Sequence, residues 1–281
     1  TPQVVALLPT LLPALLLAVA WALVMGYGFY RWLWHTHRHD PGVTPQTAFF
    51  ASAIGGASEM ANLADRHGGR VDLVAGCHSL RLMLVVLTVP MLTTWSGAHG
   101  SDVSLPLMQE VNLSGLAVLS LLTLGAVALV HVLRLPNPWM LGPLLASLAV
   151  SGAGWPLSAF PRGMLNAGQL CIGVSLGIRF GPAFLRSAPR WMAMSALGTL
   201  GMIAASAAFA TLAASALGLA PATFVLGTSP GGIAEMCVTA KVLQLGVPAV
   251  TALHVVRYLV VLIITRPLWA WEARRLGIAA A

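Results

Sequence analysis

The sequence predicts an all-α polytopic membrane protein made of two inverted structural repeats, each with a glycine-broken re-entrant hairpin. Three observations carry this expectation. Residues of the AVILMFWYC set fill 58% of the 281 positions and charged residues only 8%, a balance unlike that of soluble globular domains. Several uncharged runs reach the roughly 20 apolar residues that a helix needs to cross a bilayer, and the alternation expected of a membrane barrel is missing. Finally, Ile54-Gly-Gly-Ala-Ser-Glu59-Met with His78-Ser-Leu-Arg81 recurs as Pro230-Gly-Gly-Ile-Ala-Glu235-Met with His254-Val-Val-Arg257.

The first element is the uncharged run Val4 to Tyr30. It follows Thr1 with neither Met nor a charged n-region and is long for a signal-peptide core, so a membrane helix is expected rather than a leader. The loop Arg31 to Asp40 is basic, with Trp32 and Trp34 as interfacial anchors. His35, His37 and His39 in that loop make a poor metal site, because Arg38 repels cations and the spacing suits no helix face. Pro45 to Arg66 follows, broken at Gly55-Gly56, and then the helix carrying His78 and Arg81.

The second half contains the runs Asn112 to Leu133, Pro138 to Gly152, Met164 to Ile178 and Trp191 to Leu219, then the broken segment Pro221 to Leu245 and a last helix from Val247 to Thr265. Pro136-Asn-Pro-Trp139 marks a helix start and Gly142-Pro143 a kink; Gly168, Gly173 and Gly177 read as a close helix-packing face. Cys77, Cys171 and Cys237 lie in apolar segments and read as buried free thiols.

Aligned at a constant offset of 176, the two copies need no gap from Pro45 to Val85, and the twelve identities there include both glycines of the pair, the Glu, the His and the Arg. The expected organisation is a first repeat over 1–95, an extracytoplasmic linker over 96–111 and a second repeat over 112–281. The second repeat has more before its hairpin than the first, so residues upstream of Thr1 are expected to be missing from this chain.

Loop charge sets the expected directions. The basic loop Arg31 to Asp40 reads as cytoplasmic, and Ser96 to Val111, with Asp102 and Glu110 but no Lys or Arg, as external. Two full crossings between them would return the chain to its starting side, so one segment must enter and come back, and the glycine-broken one is the natural hairpin. Continuing this way places Arg179, Arg186 and Arg190 inside and makes the second hairpin enter from outside. The net charge of +7 then reflects positive-inside topology rather than a nucleic-acid footprint.

The groups that could carry chemistry are costly in lipid and therefore need a reason. Glu59 and Glu235 fall in the first turn after a glycine pair, where the helix dipole favours a carboxylate. Arg81 and Arg257 lie ten residues into their helices, roughly 15 Å deep, with His78 and His254 one turn earlier on the same face. One reading is a buried Glu-Arg pair that fastens each hairpin, with His as a partner. The other is a central cavity that binds a small anionic solute through the arginines while Glu or His titrates. The hairpin tips would be Gly55, Gly56, Gly231 and Gly232, with Thr228 and Ser229 closing the turn.

The duplicated PGG-x-x-EM and H-x-x-R, together with Pro138-Trp-Met-Leu-Gly-Pro143 and Gly168-Gln-x-x-x-Gly173, resembles the bacterial AbrB-type inner-membrane family. The first copy departs from that pattern in having Ile54 where the second has Pro230. That resemblance implies a multi-pass protein of the bacterial inner membrane, distinct from the soluble DNA-binding regulator of the same name. Many such proteins carry the name ammonia monooxygenase, and one is described as a regulator of gene expression. A copper or iron centre needs clustered ligands, whereas each copy has one deep His, so no enzyme activity, metal or cofactor is expected. The expected function is secondary transport of a small anionic solute at the repeat interface; the alternative is a membrane sensor that influences expression without transport. Partners are the lipid bilayer and a small-molecule or ion ligand, not nucleic acid, and the chain is compatible with a homo-oligomer.

Overall fold

A computed structural model describes residues 2–100, 110–135, 137–155, 157–177 and 188–278. Asp102, Pro136, Ile178, Arg179 and Arg186, used above for topology and helix limits, lie outside the described residues. Among those described, eleven helices and no strand occur: α1 Pro2–His37, α2 Pro45–Ser52, α3 Ala57–Arg66, α4 Val71–Trp95, α5 Leu113–Val132, α6 Pro138–Gly152, α7 Arg162–Gly177, α8 Pro189–Leu217, α9 Pro221–Thr228, α10 Ile233–Val242 and α11 Val247–Arg275. Five of them, α1 from Leu11 on, α4, α5, α8 and α11, are long and apolar enough to cross a membrane. The chain is thus a multi-pass, all-helical membrane protein.

Two helices run further than the apolar runs alone indicate. The basic stretch from Arg31 continues α1 to His37 rather than forming a loop, because Leu33 and His37 are buried and Trp32 stacks on Phe29. The last helix passes Thr265 and reaches Arg275, with Trp269 and Glu272 buried on its inner face.

The chain divides into two compact units. The smaller gathers α5, α6 and α7. Asn112 caps α5 by accepting from the amides of Ser114 and Gly115, and Pro138 opens α6. Gly142 lets α6 cross α5 closely, since a Cβ there would meet the Val127 backbone. Gly168 and Gly173, in contrast, have open space around them among the described residues, so the expected packing face is not used within this unit. Cys171 is exposed and Cys237 half-buried, so only Cys77 is the buried thiol expected. Their helices turn those positions away from the packed side.

The larger unit holds α1 from Pro9 on, α2 to α4 and α8 to α11. Contacts fix the helix directions within it. His37 packs on Trp191, and Trp21 both bonds Ser206 and stacks on Phe209, so α1 and α8 run antiparallel. Trp191 donates to the Leu73 carbonyl, while Leu92 and Thr93 lie beside Ala207, so α4 and α8 run parallel. Ala22 and Gly26 face Val261 and Thr265, and Tyr27 and Tyr30 reach Glu272, so α1 and α11 also run parallel.

The α1–α8 contact depends on Gly198, where a Cβ would collide with the rings of Phe29 and Trp32. Gly198→Leu should lower stability by about 1 to 3 kcal/mol through overpacking, read as a lower melting temperature in detergent. Gly201→Leu, one turn away in open space, should leave it unchanged.

Candidate functional site

Each glycine pair interrupts a helix that would otherwise continue. In the first copy α2 ends at Ser52 and α3 starts at Ala57 with Gly56 as its N-cap; in the second, α9 ends at Thr228 and α10 starts at Ile233 with Gly232 as its N-cap. Helices of eight and ten residues are about 12 and 15 Å long, well short of a bilayer. Their outer ends meet: the Arg70 amide donates to Thr47 Oγ1 at 2.9 Å, and Gly246 approaches Thr223 at the equivalent place in the second copy.

A broken helix leaves carbonyls at its end without partners, and in an apolar surrounding each unpaired one is expensive. The following helix supplies the donors. His78 Nε2 bonds the Phe50 carbonyl at 2.9 Å, and His254 Nε2 bonds the Leu226 carbonyl at 2.9 Å, at the same sequence separation of 28 residues. Behind each imidazole, Nδ1 accepts from an arginine Nη2 at 2.8 Å, Arg81 in one copy and Arg257 in the other. Arg257 also donates to the carbonyls of Ser229 and Gly231, and Arg81 approaches that of Ser52 at 3.5 Å. These contacts run 47 with 70, 50 with 78 and 52 with 81, so α2 lies parallel to α4, and α9 to α11 by the same pattern.

This geometry corrects two expectations. The glutamates do not pair with the arginines: among the described residues neither Glu59 nor Glu235 enters an ion pair. Each carboxylate instead folds back over its own N-cap, where a Cβ at Gly56 or Gly232 would collide with it. That is the favoured place for an acid at the start of a helix, and it explains why glycine precedes each glutamate by three residues. The histidines also do not serve as proton acceptors here. Because guanidinium only donates, Nδ1 must carry the lone pair and Nε2 the proton, so both ring nitrogens are occupied by the cap. Thr228 and Ser229 likewise turn back onto α9, bonding the carbonyls of Phe224 and Leu226 rather than closing the turn.

The two breaks face each other's last helix. A Cβ at Gly55 would touch Val261, one at Gly56 would touch Tyr258, and one at Gly231 would collide with Val85. Val85 and Val261 are themselves equivalent at the 176-residue offset. His78, Arg81, His254 and Arg257 are at most 4% exposed. The Nε groups of both are without a hydrogen-bond partner, and no carboxylate among the described residues pairs with either. Two buried cations thus sit where the two glycine breaks converge.

Sequence reasoning missed a buried carboxylate outside the duplication. Glu272, fully buried on α11, accepts from the hydroxyls of Tyr27 and Tyr30 at 3.0 Å and lies 3.9 Å from Arg31. His35, His37 and His39 do not assemble into a ligand set; no group of three or more His, Cys, Asp or Glu suited to a metal occurs among the described residues.

Removing the imidazole tests the cap. His254→Ala leaves the Leu226 carbonyl and an Arg257 N–H unpaired, and should cost about 1 to 3 kcal/mol, measured as the loss of melting temperature in detergent. His78→Ala should cost a similar amount.

Comparison with known proteins places the chain among bacterial relatives and in a family. The chain is 27% identical over 271 residues to the Bacillus subtilis (strain 168) "Uncharacterized protein YhjN", covering 91% of this chain and 68% of that protein. It is 25% identical over 252 residues to the Escherichia coli (strain K12) "Putative regulator AbrB", covering 89% of this chain and 71% of that protein. No solved structure matches. Residues 1–273 match the family described as "Transition state regulatory protein AbrB", and the chain belongs to that AbrB family.

Proposed function

We propose that this protein is a secondary transporter of a small anionic solute, built from inverted repeats whose re-entrant hairpins meet at a central site. The observation that carries the reading is the pair of buried arginines, one from each copy, with free Nε groups and no carboxylate partner among the described residues. A buried charge without a counter-charge costs several kcal/mol, and a mobile anion is the missing partner. The first repeat spans 1–95, the extracytoplasmic linker 96–111 and the second repeat 112–281.

The helix directions support inversion. α1 and α8 precede the two breaks and run antiparallel; α4 runs parallel to α8 and α11 parallel to α1, so the helices after the breaks also oppose each other. α2 and α9, each parallel to its following helix, therefore approach from opposite sides. Joined outer ends and central breaks are what a re-entrant hairpin requires, and opposed hairpins meeting near the midplane are a common transporter plan. The basic last turns of α1 and α11 support a cytoplasmic side for those ends and, in this reading, an inner-membrane location.

Glu59, Glu235, His78, His254, Arg81 and Arg257 make up the site, with Gly55, Gly56, Gly231 and Gly232 at the tips. In this reading the arginines attract the anion, the histidines hold them in place, and the glutamates are the groups free to exchange protons. A regulatory role is the second reading, favoured by the printed name of the Escherichia coli relative; a change in solute flux would alter expression without contact to DNA.

Reconstituted into proteoliposomes under a proton gradient, the wild type should take up a carboxylate from a broad panel. Arg81→Gln and Arg257→Gln should each reduce uptake at least tenfold. Ligand-dependent stabilisation without any flux would instead establish the sensor. Cysteine labelling should reach position 39 from the cytoplasmic face and position 98 from the outside; labelling of both from one side would sink the inverted topology.

A further inference from the structure

The two copies share a skeleton but not an entrance. Between α4, α8 and the outer ends of α9 and α10 lies an open chamber of about 740 Å³. It shares Leu92, Thr93, Ala207 and Val225 with a void of about 50 Å³ that ends at Ser229, the residue whose carbonyl Arg257 holds. A void of that size exceeds the room one water needs and suits a carboxylate head. At the other break the corresponding void, between Phe49, Ala53, Thr265 and Leu268, is about 20 Å³.

Side chains cause the difference. At the 176-residue offset, Thr93 and Ser96 of the chamber wall correspond to Trp269 and Glu272, and Val225 to Phe49. Phe49 and Phe50 pack on Trp269 with ring centres 5.2 and 5.6 Å apart, and Glu272 is bonded by two tyrosines, so the space equivalent to the chamber is filled.

The chamber wall also limits what enters. Among the described residues that line it there is no Asp, Glu, Lys or Arg; apolar groups alternate with the hydroxyls of Thr93, Ser96, Thr211 and Thr223, the imidazole of His99 and the amide of Gln244. A compact, strongly hydrated anion such as phosphate finds few free donors there to replace its water, since the hydroxyls of Thr93, Ser96 and Thr211 already donate to backbone carbonyls. A molecule with an apolar body gains from the same wall, and the volume falls in the range of ordinary small-molecule sites.

We infer that this chamber binds a small monocarboxylate with an apolar body, aliphatic or aromatic, its carboxylate directed through the narrow void toward the Ser229–Arg257 end. The inference rests on the anion reading above and adds the class of solute and the chamber that admits it.

The test uses the full chain in lipid nanodiscs with hexanoate and benzoate as probes, and hexanamide, benzamide and phosphate as comparators, by calorimetry. Two variants fill the chamber from different walls, Ala207→Trp and Ala222→Trp; neither touches the arginines. Hexanoate and benzoate should bind the wild type, the amides and phosphate at least tenfold more weakly, and both filled variants should lose at least tenfold in affinity for the carboxylates. If one variant fails to fold, the other decides. Phosphate binding as tightly as benzoate, or filled variants binding like the wild type, overturns the inference. Should Arg257→Gln lose affinity while both filled variants keep it, the anion site stands and the chamber assignment falls. Absence of binding by every anion removes both.

Discussion

The structure depends on one requirement: carbonyl groups released by a broken helix inside an apolar protein must find donors. A glycine pair makes the break possible, but it leaves the end of the preceding half-helix exposed to a surrounding that offers no water. The His-x-x-Arg pair of the following helix meets that need by reaching back 28 residues, imidazole to carbonyl, with guanidinium behind it. This bond pattern sets the half-helix parallel to the helix after it, and thereby fixes where both arginines sit. Conservation of spacing between the two copies follows from the geometry, because a shift of one residue would rotate the imidazole by about 100° away from the carbonyl.

Capping and anion attraction are not rival uses of the arginines. Carbonyl dipoles accept hydrogen bonds but carry no net charge, so Arg257 is satisfied at Nη1 and Nη2 while its positive charge remains uncompensated. The cap holds the guanidinium in one place, and pre-positioned charge is what a binding site requires. The same argument removes the imidazoles from proton transfer: a ring that must accept from guanidinium at one nitrogen and donate to a carbonyl at the other has no free position. The half-buried glutamates stay held over their glycines at the helix starts.

Much of this was legible in the sequence because the duplication displays its own constraints. The positions identical across 176 residues include the glycines that break, the glutamates that sit on the N-caps, and the histidines and arginines that cap the other end. What could not be read was partner choice. Glu59 and Arg81 are of opposite sign and within reach along the chain, and nothing local says that the arginine prefers a carbonyl; that preference appears only once α2 and α4 are parallel. The helical course of Arg31 to His37 was hidden for a similar reason, since its polar residues resemble a loop until Leu33 and His37 are seen buried against the core. The chamber left one faint trace, the substitution of Trp269 and Glu272 for Thr93 and Ser96 just beyond the matching window.

That trace matters because a duplicated scaffold cannot by itself distinguish its two faces. The imidazole–carbonyl and guanidinium–imidazole bonds of the caps are the same in each copy, so they favour neither copy over the other. A preference for one arrangement must come from residues that differ between copies. The aromatic packing of Phe49, Phe50 and Trp269, closed by Tyr27 and Tyr30 on Glu272, is such a difference, and it lies where the open chamber lies in the other copy. A buried carboxylate with two phenolic donors is costly to expose or separate, and large ring contacts are lost when the helices part. The filled side is therefore the harder to open: symmetry supplies the paired arginines, and in the proposed transporter the departures from symmetry would set which of them a solute reaches.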